Sequence, residues 1–178
     1  MSVGDRLRLF CALRLPRQTL DVLEAWEGEA LRGGRLVPRG NLHVTLAFLG
    51  SRPADDVHRV AAELGAAAGA AGEIWLRAVR YRETRSVGMV VLEDLTGAGT
   101  ALAADLGRRL ERLGVYHPER RTWLPHVTVL RFQERPRLAP PLPPLGEVTP
   151  SDAAVYSSVL RPGGAQYRVL ESVALGGR

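Results

Sequence analysis

The sequence predicts an α+β fold with two related halves, and two observations support this prediction. First, β-favouring and helix-favouring segments follow one another as strand, helix, strand, helix, two strands, helix, strand and two closing strands. Second, one tetrapeptide pattern occurs in each half of the chain, as His43-Val44-Thr45-Leu46 and as His126-Val127-Thr128-Val129. Two lobes that face each other across a groove would explain this repeat.

The first half of the chain contains two pairs of a strand and a helix. An apolar β-favouring run predicts a strand at 6–15, and Pro16 can open the next helix because a first helical turn does not need its N–H. Apolar residues at helical spacing extend this helix to about Arg32. The first motif predicts a strand at 42–49 that ends at Gly50, and the segment 53–56 begins a helix that runs toward Gly69.

The second half begins with a predicted hairpin, whose strands at 74–81 and 88–92 are joined by a polar turn. A helix follows at 97–113 and is stopped by Gly114, and the second motif predicts a strand at 122–132. The segment 135–150 is so rich in proline that we expect a surface loop without regular structure. Strands at 154–160 and 166–175 close the chain around a Pro-Gly-Gly turn.

Each motif places one histidine and one threonine on the same surface. Alternate side chains of a strand point to opposite faces, so His43 and Thr45 share one face while Val44 points into the core, and the second motif repeats this arrangement. Two such strands side by side would line a cleft with two imidazoles and two hydroxyls. Imidazoles can move protons and hydroxyls can donate hydrogen bonds to an oxyanion, a set that suits phosphate ester chemistry.

A single histidine on a strand is most often a partly buried residue that hydrogen-bonds to a carbonyl. That interpretation does not account for the duplication. Four histidines and eight threonines placed at random in 178 residues would rarely produce even one His-x-Thr. The repeat with its constant spacing therefore favours a functional pair, His43 and His126.

Length and composition predict a globular protein with a sizeable core. No apolar run reaches the length of a membrane span, and the charged N-terminal segment is unlike a signal peptide, so we expect a cytoplasmic protein without membrane association.

All 24 basic residues are Arg, which excludes a complete Walker A loop and a Schiff-base lysine. The absence of Lys, together with abundant Ala, Leu and Gly, indicates a bias in codon composition. The net charge of +5 is therefore weak evidence for binding to nucleic acid, although the arginine side chain is well suited to binding phosphate.

The remaining cysteine and histidines are weaker candidates. Cys11 lies in an apolar strand and is predicted to be a core residue, and a lone cysteine excludes both an internal disulfide and a metal site of several thiolates. His58 lies on a predicted helix among charged neighbours and His117 lies in a loop. We expect both histidines to be solvated.

Aromatic and basic side chains near the second motif leave two interpretations open. Trp123 and Tyr81 either stack on a nucleobase or pack in the core. Arg120 and Arg121 precede the motif and either hold an RNA backbone or belong to a solvated loop.

The chain resembles the two-histidine (2H) phosphoesterase superfamily, and within it the RNA 2′,3′-cyclic phosphodiesterases formerly called RNA 2′-5′ ligases (LigT/ThpR). The likeness rests on the segments RLFCALRLP, NLHVTLAFLG, PHVTVLRF and SSVLRPGGAQYRVL, which together cover nearly the whole chain. It implies one bilobal domain over 1–178, in which two antiparallel sheets form a central groove and the helices lie outside. It also implies a site without metal or cofactor that opens a 2′,3′-cyclic phosphate to a 2′-phosphate.

The resemblance implies that His43 and His126 are catalytic and that Thr45 and Thr128 bind phosphate. Arg131 matches a basic residue that the family has five positions after the second histidine. On an ideal strand this odd offset places Arg131 on the face opposite His126, so contact with phosphate requires the strand to end, twist or bulge. The alternative is a surface arginine at a strand end.

The chemistry also follows from the residues alone. Attack of water on a cyclic phosphodiester needs a base to take the proton of water and an acid to protonate the departing ribose oxygen. Two imidazoles with an ordinary pKa of about 6.5 can divide these roles near neutral pH. The sequence does not orient the substrate, and we take His126 as base and His43 as acid as a working assignment.

Other functions remain open at this point. The same site could act on another cyclic or 2′-5′ linked nucleotide, or the chain could be a non-catalytic RNA-binding module. A metallohydrolase would need carboxylates or further histidines beside the motifs, and their flanks supply none. We expect a monomer whose partners are RNA ends or nucleotides with a 2′,3′-cyclic phosphate; whether reverse 2′-5′ ligation matters is left open.

Overall fold

The computed structural model describes residues 4–176, which form nine strands and three α-helices. The strands are β1 (Arg6–Arg14), β2 (Arg35–Leu36), β3 (Val44–Pro53), β4 (Leu76–Glu83), β5 (Val87–Asp94), β6 (His126–Arg131), β7 (Glu147–Val148), β8 (Asp152–Arg161) and β9 (Gly164–Val173). The helices are α1 (Arg17–Ala30), α2 (Asp56–Ala70) and α3 (Ala98–Arg112), and a 3₁₀ turn spans Arg39–Asn41.

The strands form two antiparallel sheets, which together with the helices confirm the predicted α+β fold. The first sheet has the order β3-β1-β8-β9, and the second has the order β2-β6-β5-β4-β7. The first motif therefore leads into an edge strand of the first sheet. The second motif lies in β6 of the second sheet, beside the two-residue edge strand β2.

One hydrophobic core joins the two sheets and the helices. It contains fully buried Leu13 of β1 and Val90 of β5, together with Leu23, Leu64 and Leu106 from the three helices. Within residues 4–176, every helix is too short or too polar to span a bilayer.

The other face of the first sheet carries a smaller aromatic cluster of Phe10, Ala12, Ala154 and Tyr156, against which Tyr167 packs. Because side chains alternate along β1, these residues point away from the core that holds the neighbouring Cys11. This second face lines the groove described below.

Both motif strands differ from their predicted bounds. β3 continues past Gly50 to Pro53 because residues 6–9 of β1 pair with residues 50–53, and glycine tolerates the positive φ of 72° at position 50. β6 begins at His126 rather than near 122. Pro125 has no N–H to donate to a ladder, and its carbonyl accepts a hydrogen bond from the N–H of Leu92.

The proline-rich segment is irregular up to residue 146, as predicted, but it is anchored to the protein, and the prediction is wrong for residues 147–148. Buried Glu83 accepts hydrogen bonds from the N–H groups of Arg137 and Leu138, and the Trp26 indole donates to the carbonyl of Pro141. The segment also contributes β7, which pairs with β4. Sequence patterns missed β2 and β7 because two residues are too few to show a periodicity.

Candidate active site

Two backbone carbonyls orient the motif imidazoles in the same way. Nδ1 of His43 lies 2.7 Å from the carbonyl oxygen of Asn41, and Nδ1 of His126 lies 2.8 Å from that of Leu124. A carbonyl oxygen can only accept, so Nδ1–H donates in both cases and Nε2 is left to accept or deliver a proton. Each carbonyl belongs to the residue two positions before its histidine.

The hydroxyl of Thr45 lies 2.9 Å from Nε2 of His43. While His43 is neutral, Nε2 accepts the hydroxyl proton of Thr45. Once His43 is protonated, Nε2–H donates to the Thr45 oxygen, and the threonine proton becomes available to another acceptor. The donor capacity of Thr45 is thus linked to the protonation of His43.

A one-residue bulge follows the threonine of the first motif. Thr45 lies opposite Ala12 and Ala47 lies opposite Cys11, so Leu46 is an extra residue in β3. An extra residue reverses the alternation of side chains beyond it. Phe48, three residues after Thr45, consequently lies on the same face as Thr45, where simple alternation would turn it toward the core.

The second motif contains the same bulge at the same place. Thr128 lies opposite Met89 and Leu130 lies opposite Gly88, so Val129 is an extra residue in β6. Arg131 therefore lies on the face of Thr128, and Nη2 of its guanidinium donates to the hydroxyl of Tyr167 over 3.3 Å. Arg131 follows His126 by five residues, an odd offset that would place it on the opposite face of a regular strand. The bulge at Val129 reverses the alternation and returns Arg131 to the face of His126 and Thr128.

Three of the four motif residues, all except His126, line a groove of about 480 Å³, which we call the first groove. Its walls include His43, Thr45, Thr128, Arg131, Arg35 and Tyr167. Arg8 also lines it, and no carboxylate does among the described residues. Three arginines without an acidic neighbour favour an anionic ligand.

A second groove of about 620 Å³ adjoins the first. Its walls include His126, Trp123, Met89, Arg82, Thr45 and Phe48, of which the last two also line the first groove. The two grooves therefore meet at Thr45 and Phe48, with His43 on the side of the first and His126 on the side of the second.

The surroundings of His43 favour its neutral form. The ring of Phe10 lies 4.9 Å from its ring and that of Tyr167 lies 5.4 Å away. Burial lowers the pKa of His43 to about 4; the hydrogen bond to Asn41 opposes this shift, and the charges of His126 and Arg131 add to it. The ligand-free protein therefore keeps His43 neutral at physiological pH.

The chain matches a family model described as the 2′-5′ RNA ligase superfamily over residues 15–157. The chain belongs to this superfamily. The resemblance to the 2H phosphoesterases inferred from the two motifs is thereby confirmed. No curated protein matches the chain at the level of sequence.

Solved structures of the superfamily fold cover nearly the whole chain. The protein TT0787 of Thermus thermophilus is 28% identical, with a TM-score of 0.82 over 96% of this chain and 99% of that one. E. coli LigT complexed with 3′-AMP is 24% identical, with a TM-score of 0.80 and the same coverage. LigT complexed with NADP⁺ is 26% identical, with a TM-score of 0.78 over 97% of this chain and 99% of that one.

The weaker histidine and cysteine candidates lie outside the grooves of this superfamily member. His58 is exposed on α2 and pairs with Glu171 at 2.7 Å, and His117 is exposed in a loop, as predicted. Cys11 is fully buried, and burial raises the pKa of its thiol to about 12, which confirms a core role. Among residues 4–176, no three His, Cys, Asp or Glu side chains are grouped to hold a metal ion.

Of the aromatic and basic residues considered as contacts to RNA, two line the second groove and two lie outside both grooves. Tyr81 packs against Trp26 and donates to Glu83, outside both grooves. Trp123 lines the second groove, and so does Arg121, which pairs with Glu119. Arg120 is exposed and lines neither groove.

Sequence reasoning missed three features of the site. Asn41 orients His43 through its carbonyl and also bonds the backbone of β9, where its side chain donates to Ala165 over 2.8 Å. Arg35 comes from the unpredicted strand β2. Phe48 was assigned to a strand but not to a face, and no local signal marks a bulge at Leu46.

Proposed function

We propose that the protein is an RNA 2′,3′-cyclic phosphodiesterase, which hydrolyses a terminal 2′,3′-cyclic phosphate to a 2′-phosphomonoester without a metal ion. The observation that supports this most directly is the pair of His-x-Thr strands at adjoining grooves, each with Nδ1 bound to a carbonyl and Nε2 left for proton transfer. His43 and His126 are the proposed acid–base pair.

The chemistry divides between the two imidazoles. One Nε2 takes a proton from water as it attacks phosphorus, and the other Nε2–H protonates the ribose oxygen that leaves on the opposite side. Thr45 and Thr128 donate to the non-bridging oxygens, and Arg131 offsets the charge that develops on them. No step in this scheme needs a metal ion.

Two orientations of the substrate satisfy the scheme. In the ligand-free protein His43 is neutral, which suits it to the role of general base. This is the reverse of the working assignment from sequence, in which His126 is the base and His43 is the acid. An anionic phosphate bound beside His43 would raise its pKa and suit it to the acid, and protonated His43 would release the hydroxyl proton of Thr45 toward phosphate. Variants of each histidine distinguish the two orientations, as described in the Discussion.

A relative supports a nucleotide as the ligand. E. coli LigT, 26% identical in its complex with NADP⁺, accommodates a nucleotide, and we extend this property to the present chain. The first groove with its three arginines is the proposed phosphate site. The core shared by both sheets supports one bilobal domain.

The function is tested by incubating the protein with a nucleoside 2′,3′-cyclic monophosphate and with a short RNA that ends in this group, each in excess EDTA. We expect a 2′-phosphate product by ³¹P NMR, and a nucleoside 3′,5′-cyclic monophosphate should stay intact. Loss of turnover in EDTA that a divalent metal restores would contradict the mechanism. RNA binding without any turnover would indicate a non-catalytic RNA-binding module.

A further inference from the structure

Arg80 and Arg82 of β4 lie in the same rows of the second sheet as the two polar residues of the second motif. Arg80 lies opposite Val91 of β5, and Val91 in turn lies opposite His126 of β6. Residues directly opposite each other in a sheet point to the same face, so Arg80 shares the groove face with His126. The two residues are two strand spacings apart, about 10 Å.

The neighbouring row is built in the same way. Arg82 lies opposite Met89, and Met89 lies opposite Thr128. Arg82 also lines the second groove together with His126. Both arginines are exposed, so a ligand in this groove can reach them from the side of the second motif.

Neither of these arginines is neutralised by an acidic neighbour. Arg77 lies on the same face of β4, because Val79 is an extra residue that reverses the alternation of side chains. Arg77 pairs with Glu93 over 2.8 Å, whereas within residues 4–176 Arg80 and Arg82 have no ion-pair partner. The two other arginines described in the second groove each pair with a carboxylate. Two uncompensated positive charges in rows with the second motif favour an anionic ligand.

We propose that Arg80 and Arg82 form a second phosphate site, which binds the phosphate on the 5′ side of the terminal nucleotide. In an RNA chain that ends in a 2′,3′-cyclic phosphate, the terminal ribose joins the reacting phosphate to the phosphate of the preceding linkage. With the reacting phosphate at the two motifs, one ribose and the length of an arginine side chain together bridge the two strand spacings to β4. The planar guanidinium then binds the second phosphate by paired hydrogen bonds.

This site would make the end of an RNA chain a better ligand than a nucleotide that carries only the reacting phosphate. The inference rests on the proposed function for the position of the reacting phosphate, and it adds the part of the chain that the protein recognises beside it.

Binding measurements test this inference without relying on turnover. Calorimetric titrations compare adenosine 2′-monophosphate with adenosine 2′,5′-bisphosphate, which differs only in the added 5′-phosphate. An exposed ion pair contributes up to about fivefold in affinity, so we expect the wild-type protein to prefer the bisphosphate by about 3- to 25-fold. This preference should decrease at high ionic strength, because salt screens exposed charges. The double variant Arg80→Gln/Arg82→Gln should lose most of the preference and keep the wild-type affinity for the monophosphate.

The matched control is Arg17→Gln, which removes the same charge from an exposed residue of α1 that lines neither groove. It should leave the preference for the bisphosphate intact. The inference is overturned if the wild-type protein binds both ligands equally, if the double variant keeps the preference or weakens both ligands alike, or if the control loses the preference too. Failure of the proposed function has a different signature, in which the preference depends on Arg80 and Arg82 but no cyclic phosphate is hydrolysed.

Discussion

The indole N–H of Trp123 donates a 2.9 Å hydrogen bond to the backbone carbonyl of Thr45. This bond joins the segment before His126 to the strand that follows His43. The ring of Trp123 packs against α3 at Gly99, where a Cβ atom would come within 2.9 Å of it. Trp123 therefore connects the two motifs to each other and to a helix.

Trp123→Phe removes this donor and keeps an aromatic ring beside Gly99. A hydrogen bond of this kind contributes about 1 kcal/mol to stability, so we expect the melting temperature to fall by about 2–4 °C. Because the bond also holds the two motifs together, kcat should fall by about fivefold while KM changes little. Steady-state kinetics with a nucleoside 2′,3′-cyclic monophosphate measure the effect. Trp75→Phe, outside both grooves, serves as control. An unchanged kcat in Trp123→Phe would show that the bond does not position the motifs.

His43→Ala and His126→Ala should each lower kcat by at least about 10²-fold, the usual contribution of a general acid or base. His58→Ala, which changes an exposed histidine on α2, should leave kcat unchanged. Melting curves should show all three variants folded. Near-normal turnover by either motif variant would refute the paired mechanism.

The pH dependence of the same variants assigns the two roles. The wild-type protein should show a bell-shaped profile of kcat/KM, because one imidazole must be neutral and the other protonated. The variant that lacks the acid should lose the alkaline limb, and the variant that lacks the base should lose the acidic limb. A wild-type profile that is flat from about pH 5 to 9, with chemistry rate-limiting, contradicts acid–base catalysis by histidine.

His43 should titrate far below an ordinary histidine. Its pKa of about 4 arises from burial first, against about 6.5 for the unfolded chain. Between these values the unfolded state binds more protons, so the stability that neutral His43 contributes is complete above about pH 6.5 and is lost as pH falls toward 4. NMR titration of the ring protons, assigned with His43→Ala, measures the pKa. Saturating inorganic phosphate should raise it; an ordinary pKa in both conditions would disprove the expected burial effect.

Glu27 on α1 should destabilise the protein at alkaline pH. It is 2% exposed, and its Oε1 has no hydrogen-bond partner in the part of the chain that the structure describes. Burial, and then neighbouring Glu24, raise its pKa to about 8. The folded state therefore holds a proton that the unfolded state has released, so its stability decreases as pH rises from about 4.5 to 8.

Glu27→Gln removes this charge. We expect the variant to equal the wild-type protein near pH 5 and to gain about 1–3 kcal/mol in free energy of unfolding at pH 9. Urea unfolding at both pH values measures the difference. Glu29→Gln, an exposed change on the same helix, should show no such pH dependence. An equal gain at both pH values would exclude the charge of Glu27 as the cause.

Local sequence patterns predicted the elements whose signals are contained within one segment. The three helices follow from apolar spacing with Pro16 and Gly114 near two of their ends, and the β4–β5 hairpin follows from two β-favouring runs around a polar turn. The exposure of His58 and His117 followed from their charged or irregular surroundings. None of these features needs information from a distant part of the chain.

The sequence by itself determined the α+β class, the two His-x-Thr strands and the face that each histidine shares with its threonine, because strand alternation is a local property. The tertiary structure alone decided where Phe48 and Arg131 point, since the bulges at Leu46 and Val129 exist only in register with β1 and β5. It also decided the low pKa of His43, whose desolvation involves rings from other strands. Register and burial depend on partners far away in sequence, which no local pattern encodes.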